Sequence, residues 1–490
     1  MMVPHSGLRC QGGAFIFDLN RRHPDRSVLA RGVEGPVFLS LSVVRGFRFF
    51  LLPFTLALCL NVAVFPFPVS PFYNPCMRPT SPLSYDKAVE VVLHHAEAYR
   101  PTGTERVPLL HSTGRVLAVP VKADRDLPPF RRSARDGFAL RAADCVPGTK
   151  LKIIGEIRAG APLESAPQNV SSGECVEIMT GASVPAGADS VLMYEHAQRN
   201  GSAIIPERKL APGDNVVPAG EEARAGEQVL SEGFRVNHAG VAVSASVGWA
   251  SHQVYRRPTV VILPTGDELV PIDATPGRHQ IRNSNSYSLA SQITQAGAEP
   301  MLLPVAPDDK ARLRELIDEG LQGDLLLLTG GVSVGKYDYV EDVLAEFDAR
   351  FHFTGVSIQP GKPLVFGDAQ AKDRRVPFFG LPGNPVSTMV TFELFVRPVI
   401  DALSGVKPHA PRFLQARLAT PVRVKTGLTR FLPGRLLGDG LSTEVEFARW
   451  HGSGDVVSAA SSNCYIVVPP DREELPAGQM ANVLIPGARL

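Results

Sequence analysis

At 490 residues the chain is longer than one hydrophobic core usually organises, so roughly two to four domains are expected. Its 50 lysines and arginines against 49 aspartates and glutamates leave a formal charge of +1, which gives no global reason to expect nucleic acid or an acidic membrane surface as a partner. Six cysteines (Cys10, Cys59, Cys76, Cys145, Cys175, Cys464) show neither a C-x-x-C pair nor ligand-like spacing with histidine, which points to reduced thiols of a cytosolic protein and away from a zinc site or disulfide framework. His94-His95 reads as part of a helix face and not as a metal pair.

In chain order, the first 76 residues stand apart. Arg45 and Arg48 precede the apolar run Phe49–Val64, which falls short of the ~20 residues a spanning helix wants and is interrupted by Pro53. It also begins too far from Met1 for an ordinary signal peptide. Three readings remain: a membrane anchor, a disordered extension, or a true start at Met77. The late start is favoured, because a normal domain opening follows Met77. Ser84 can cap a helix whose Ala88, Val91, Val92 and Ala96 fall on one face. From about Val107 to Leu230 short β-like pieces are split by Gly and Pro, as in a β-rich module with long turns. Gly233–Trp249 reads as helical, and Arg256-Arg257-Pro258 marks a boundary.

From Thr259 the pattern alternates. TVVILPTG is a buried strand and NSNSYSLASQITQAG a capped helix ending at Gly297. AEPMLLPVAP is a second strand, and DKARLRELIDEGLQG a helix with Leu313, Leu316, Ile317 and Leu321 on one side. Leu325–Leu328 has no polar alternation, so it reads as a strand covered on both faces. A helix, the strand before Gly383 and one long helix to about Ser404 complete a parallel, doubly wound domain. Past Pro411 a small β-domain runs to Leu490.

Six turns carry the chemistry. GGVSVGKYD follows Leu325–Thr329; its glycines let backbone N–H groups approach a phosphate ahead of a helix N-terminus, and Asp338 suits a bridging Mg²⁺. The stretch is neither a P-loop nor G-x-G-x-x-G. LPTGDELV (Leu263–Val270) and FFGLPGNPVS (Phe378–Ser387) also end strands, so three loops should line one crevice and suit a ligand with several phosphates. FRRSARDGFAL (Phe130–Leu140), IMTGASVPAGADSVLMYE (Ile178–Glu195) and NVVPAGEEARAG (Asn215–Gly226) place acidic groups and hydroxyls at turns of the β-rich module. Such oxygen donors suit Mg²⁺ and not zinc.

In order, these six stretches resemble the molybdopterin molybdenumtransferases, the MoeA and gephyrin E-domain family. The motifs S-A-x-D-G-[YF]-A, T-G-A-x-x-P-x-G-A-D, T-G-[DN]-E-L, G-G-x-S-x-G-x-x-D, P-G-K-P and G-L-P-G-N-P-V-S are all present, over essentially Met77–Leu490. The resemblance implies insertion of molybdate into adenylylated molybdopterin, with release of AMP and a divalent metal, usually Mg²⁺, required. It also implies a homodimer whose cleft lies between the α/β domain of one subunit and the β-rich domain of the other. The expected architecture is a 1–76 extension, a discontinuous linking domain (77–127 with 223–256), a β-rich domain (128–222), an α/β molybdopterin-binding domain (257–408) and a C-terminal β-domain (409–490). Membrane attachment would follow only from a real anchor at 49–64.

Carried over position by position, the resemblance implies catalytic roles for Asp136, Thr180, Glu222, Asp324 and Asp338. Metal ligation falls to Glu268, Asp338 and Asp136. Substrate binding falls to Gly330, Gly331, Ser333, Gly335, Lys362, Gly383, Asn384, Pro385, Ser387 and Ser453. The chain departs from common family residues at Glu222, Asn283, Gln359 and Pro433, where Asp, Asp, Lys and, in some members, Arg are found; Arg430 or Arg435 is the expected substitute for the last. The rivals are an adenylyltransferase of the same pathway, which usually shows G-G-T-G where this chain has Gly-Gly-Val-Ser-Val-Gly, and a scaffold that keeps the fold while binding a partner protein. A scaffold predicts loss of the acidic turn residues, yet Asp136, Glu268 and Asp338 are present.

Overall fold

The computed structural model describes residues 81–160, 167–330, 339–438 and 443–487. The readings of 1–76, including Phe49–Val64, and of Gly331, Ser333, Gly335 and Asp338 fall outside these residues. Among the described residues no helix is long and apolar enough to cross a membrane.

Helix α1 (Tyr85–Ala96) starts where expected, with the Ser84 hydroxyl accepting from the Lys87 N–H, and buries Ala88, Val89, Val92 and Ala96. Strand β1 (Thr104–Pro108) then pairs antiparallel with β8 (Ser251–Tyr255), which lies beyond the β-rich part in sequence. This pairing brings chain from before and after the β-rich part together, and α2 (His238–Ser246, capped by Asn237) lies in the returning segment.

Between them six strands form one sheet: β2 (Gly137–Leu140), β3 (Leu151–Ile157), β4 (Glu174–Ile178), β5 (Ser190–Met193), β6 (Ala197–Asn200) and β7 (Ala203–Pro206), in the order β5-β2-β4-β3-β7-β6. Gly137 opens β2, and only glycine fits there because a Cβ would lie 2.0 Å from the Leu192 carbonyl oxygen.

The α/β part contains β9 (Thr259–Pro264), α3 (Asn285–Ala296), β10 (Glu299–Leu302), α4 (Lys310–Gly320), β11 (Leu325–Thr329), α5 (Val340–Glu346), β12 (Arg350–Phe353), β13 (Val365–Ala371) and β14 (Arg374–Leu381). Its sheet order is β10-β9-β11-β14-β13-β12. The run Leu325–Leu328 is fully buried, as the absence of alternation requires. Leu325 and Leu327 pack with Leu289 and Ile293 of α3, whereas Leu326 and Leu328 pack with Leu313, Leu316 and Ile317 of α4. Successive side chains point to opposite faces, and each face has a helical layer.

Two features differ from the sequence-based expectation. Only β10, β9, β11 and β14 are mutually parallel; β13 and β12 add an antiparallel edge. The reason is local: β13 and β14 are joined by Lys372-Asp373 alone, with Lys372 at φ 50°, and a two-residue turn can make a hairpin but not a crossover. The expected single long helix is instead α6 (Pro385–Thr391), a π-helical stretch Phe392–Val396, and α7 (Arg397–Leu403). Pro398 supplies no N–H to the carbonyl one turn back, so the helix widens just ahead of it.

The C-terminal part is a closed ring of β15 (Leu414–Leu418), β16 (Thr429–Leu437), β17 (Glu444–Phe447), β18 (Cys464–Val468) and β19 (Met480–Leu484), in which β16 pairs with both β17 and β18. The short strand Ile358–Gln359 of the α/β part pairs parallel with Thr429 and Arg430, so Gln359 lies against the Arg430 end of β16.

Candidate active site

In a sheet ordered β10-β9-β11-β14 the chain reverses direction across the sheet between β9 and β11, and their carboxyl ends form the crevice where α/β proteins take ligands. Three loops leave this edge: Thr265-Gly266 after β9, Gly330 after β11, and Pro382-Gly383-Asn384 after β14. They touch one another. The Thr265 N–H donates to the Thr329 carbonyl at 2.9 Å. The Asn285 side-chain amide, at the start of α3, donates to the Gly383 carbonyl at 2.7 Å and to Thr329 Oγ1 at 3.1 Å. Gly330 adopts φ +90°, and a Cβ on it would lie 2.4 Å from the Thr265 carbonyl oxygen. Asn384 precedes Pro385 at the first turn of α6, where proline's missing N–H costs no bond.

The C-terminal ring contributes to the same corner. The Val386 N–H donates to the Ser453 carbonyl at 3.0 Å, which docks the His451–Asp455 loop onto the start of α6. Asp455 shapes that loop by accepting from the Ser458 hydroxyl and from the Ser458 and His451 N–H groups, and these bonds, the Ser458 hydroxyl foremost, hold its carboxyl well below the usual range. Lys362 is exposed beside Gly361, where a Cβ would lie 2.5 Å from the Thr391 methyl; the loop therefore lies flat against α6. Ser387 is only 3% exposed, packed into α6, with its carbonyl accepting from the Thr391 hydroxyl.

The acidic positions divide into three groups. Glu268 is exposed and folds back over Gly266, where a Cβ would meet its carboxylate at 2.3 Å. Asp136 is exposed in the β-rich part and accepts from the Thr180 N–H at 2.6 Å and the Thr180 hydroxyl at 2.9 Å. Those bonds, the backbone one first, hold its carboxyl below the usual aspartate range. Glu222 forms an ion pair with Arg132 at 2.8 Å, also in the β-rich part.

Asp324 is placed differently from its expected catalytic role. It precedes β11, at the amino edge of the sheet, five residues and roughly 16 Å from the Thr329 end. There its carboxylate accepts from the Thr259 N–H at 2.8 Å and pairs with Arg374 at 3.1 Å, tying β9 to the hairpin. Asp324→Asn is therefore expected to lower stability by about 1–3 kcal/mol, because Arg374 keeps only the Gln322 and Gly323 carbonyls and loses its charged partner, while leaving turnover per folded molecule unchanged. Denaturant midpoints measured beside activity would check this; lost turnover with unchanged stability would return Asp324 to the chemistry.

Among the departures, Asn283 has a clear structural part. Its Oδ1 accepts from the Ser286 N–H at 3.2 Å and its amide donates to the Ser286 hydroxyl at 2.9 Å, so it caps the first turn of α3. Arg430 donates twice to the Lys425 carbonyl.

Sequence reasoning missed Thr265 and Asn285 as site residues. The signal available was a threonine and an asparagine at loop positions flanking a strand end and a helix start. It read His94-His95 as part of a helix face and not as a metal pair. His95 in fact stacks on His352 at 3.6 Å, and His352 bonds Asp368 at 2.8 Å. This is the one group of three His, Cys, Asp or Glu side chains close enough to hold a metal among the described residues. The nearly parallel rings keep their lone pairs from converging on one ion, and Asp368 is already paired with Arg375. Burial pushes the His95 imidazole down to about 4, so it stacks uncharged at neutral pH.

A doubly wound domain with glycine-bearing loops at its switch point, flanked by a β-rich part and a closed β ring, defines a multidomain α/β protein built around a small-molecule crevice. Residues 83–248 match the family described as MoeA N-terminal region (domain I and II), 261–402 the probable molybdopterin binding domain, and 415–485 the MoeA C-terminal region (domain IV). The molybdopterin molybdenumtransferase of Nostoc sp. is 35% identical over 389 residues, covering 78% of this chain and 88% of its own. That of Bacillus subtilis is 34% identical over 419 residues, covering 83% and 94%. The crystal structure of the molybdopterin biosynthesis MoeA protein from Pyrococcus horikoshii is 30% identical, with a TM-score of 0.65, over 84% of this chain and 100% of that one. The chain belongs to the molybdopterin molybdenumtransferase (MoeA) family.

Proposed function

We propose that this transferase of molybdenum cofactor biosynthesis inserts molybdate into adenylylated molybdopterin and releases AMP. The observation that carries this is the meeting of three loops at one switch point, where Gly330 has no room for a side chain against Thr265. Gly330 and Gly383 leave the backbone open to a phosphate-bearing ligand, and the N-termini of α3 and α6 face the same edge. Asn384, Pro385 and Ser387 form the second cradle, with Ser387 acting by shaping α6. Lys362 supplies positive charge for an oxyanion, and the Ser453 loop closes the corner.

The carboxylates that the resemblance assigns to a metal, among them Glu268 beside Gly266 and Asp136 of the β-rich part, are hard oxygen donors, which suits a cation such as Mg²⁺. Glu268, Asp338 and Asp136 would hold it, and the ion would neutralise charge as the phosphoanhydride is cleaved. The bonds drawn by Asp136, Thr180 and Glu222 stay within the β-rich part. In a homodimer these three residues would serve the crevice of the second copy. Buried free thiols at Cys145, Cys175 and Cys464 suit a cytoplasmic setting.

The test is release of AMP from adenylylated molybdopterin by the full chain with Mg²⁺, with and without molybdate. Molybdate-dependent release supports transfer. Well-folded protein that releases no AMP in either condition sinks it.

A further inference from the structure

Two buried oxygens at the crevice have no hydrogen-bond partner: Thr265 Oγ1 and Asn285 Oδ1. Thr265 is 5% exposed and Asn285 9%. Both belong to the same small region. A Cβ on Gly330 would lie 3.2 Å from Thr265 Oγ1, a Cβ on Gly383 would lie 3.8 Å from the Gly330 Cα, and Asn285 is bonded to the Gly383 carbonyl.

The orientation of Asn285 follows from chemistry. The Gly383 carbonyl can only accept, so the group facing it at 2.7 Å is the amide nitrogen. That nitrogen also donates to Thr329 Oγ1, so both of its N–H groups are used and only an acceptor is left over. Buried acceptors are normally paired, and one left open at a ligand crevice indicates what the ligand brings. A phosphate oxygen cannot satisfy it, because two acceptors repel. Neither is it a good cation seat, since both oxygens are neutral and the carboxylates on this loop, Asp267 and Glu268, are exposed.

We propose that Thr265 and Asn285 form a floor that accepts hydrogen bonds from the N–H edge of the substrate's heterocycle, an aminopyrimidine-type edge of either the pterin or the adenine. The heterocycle then points into the crevice and the phosphates lie outward against the glycine loops. This inference rests on the substrate class of the proposed function and adds the orientation of the ligand and two specificity-determining residues.

Thr265→Val keeps the side-chain shape and disturbs no bond, since the backbone N–H of Thr265 is the group paired with Thr329. Thr265→Ser keeps the hydroxyl. Calorimetric titration of the full chain with a simple pterin, with adenosine and with pyrophosphate, beside thermal melts without ligand, tests the floor. The expected result for Thr265→Val is a raised melting temperature without ligand, an affinity for one heterocycle weakened roughly tenfold or more, and unchanged pyrophosphate binding. Thr265→Ser should bind as the parent does. The weakened arm, pterin or adenosine, names the source of the N–H edge. The proposal is overturned if pyrophosphate binding falls with the heterocycle, if neither heterocycle binds the parent protein, or if the melt rises with no change in any affinity. If the parent binds a heterocycle but releases no AMP, the floor stands and the transfer reading falls.

Discussion

Gly330→Ala is expected to lose substrate binding by a hundredfold or more and to cost about 2 kcal/mol or more of stability. Gly330 adopts φ +90°, where an L side chain alone costs about 1–2 kcal/mol. The new methyl would also lie 2.4 Å from the Thr265 carbonyl oxygen. That residue cannot retreat cheaply, because its N–H is bonded to the Thr329 carbonyl next to the mutated site. The loops after β9 and β11 must then part, and the crevice opens at its narrowest point. Gly201→Ala is the control. It has φ +61° with no atom within 4 Å of a new Cβ, so it carries the backbone cost without the collision. Denaturant melts and pyrophosphate titration of the two variants separate the effects. Pyrophosphate binding by Gly330→Ala equal to that of Gly201→Ala would remove Gly330 from the cradle.

Asp136→Asn is expected to lower molybdate-dependent AMP release by about a hundred- to a thousandfold while leaving the melting temperature nearly unchanged. The asparagine oxygen can still accept from the Thr180 N–H, so the loop keeps its shape and loses its charge. If that charge helps hold Mg²⁺, the variant should also need a higher Mg²⁺ concentration, a shift that a structural role would not produce. Because Thr180 holds the Asp136 carboxyl below the ordinary aspartate range, this group stays ionised down through mildly acid pH. The acid limb of the rate profile should therefore be set by another group. Full activity of Asp136→Asn at low Mg²⁺ would end the metal role.

Much of the fold was legible because local signals agreed with one another. Leu325–Leu328 could only be a strand between two layers, Ser84 and Gly297 marked a helix start and a helix end, and Gly330 and Gly383 marked turns just past strand ends. The hairpin β13–β14 escaped because Lys372-Asp373 is a two-residue turn without glycine, and the π stretch because Pro398 looks tolerable near a helix end. Asp324 misled for a different reason. An acid beside a glycine motif in sequence lies at the far end of the strand in space, where it has a backbone N–H and Arg374 to satisfy. Asn285 was hidden because its role depends on what its amide is not free to do, and that is visible only once Gly383 and Thr329 are beside it.

The hydrophobic clusters do not follow the domain count. One cluster runs from Ala88 and Val92 of α1 through Leu325 and Phe379 of the sheet to Phe431, Tyr465 and Leu484 of the closed ring. The β-rich part instead draws both of its clusters from its own strands and turns. Linking helix, sheet and ring therefore share one interior, and a change of volume at Phe431 is felt by residues more than three hundred positions apart. The interior of the β-rich part can be repacked without altering that shared interior.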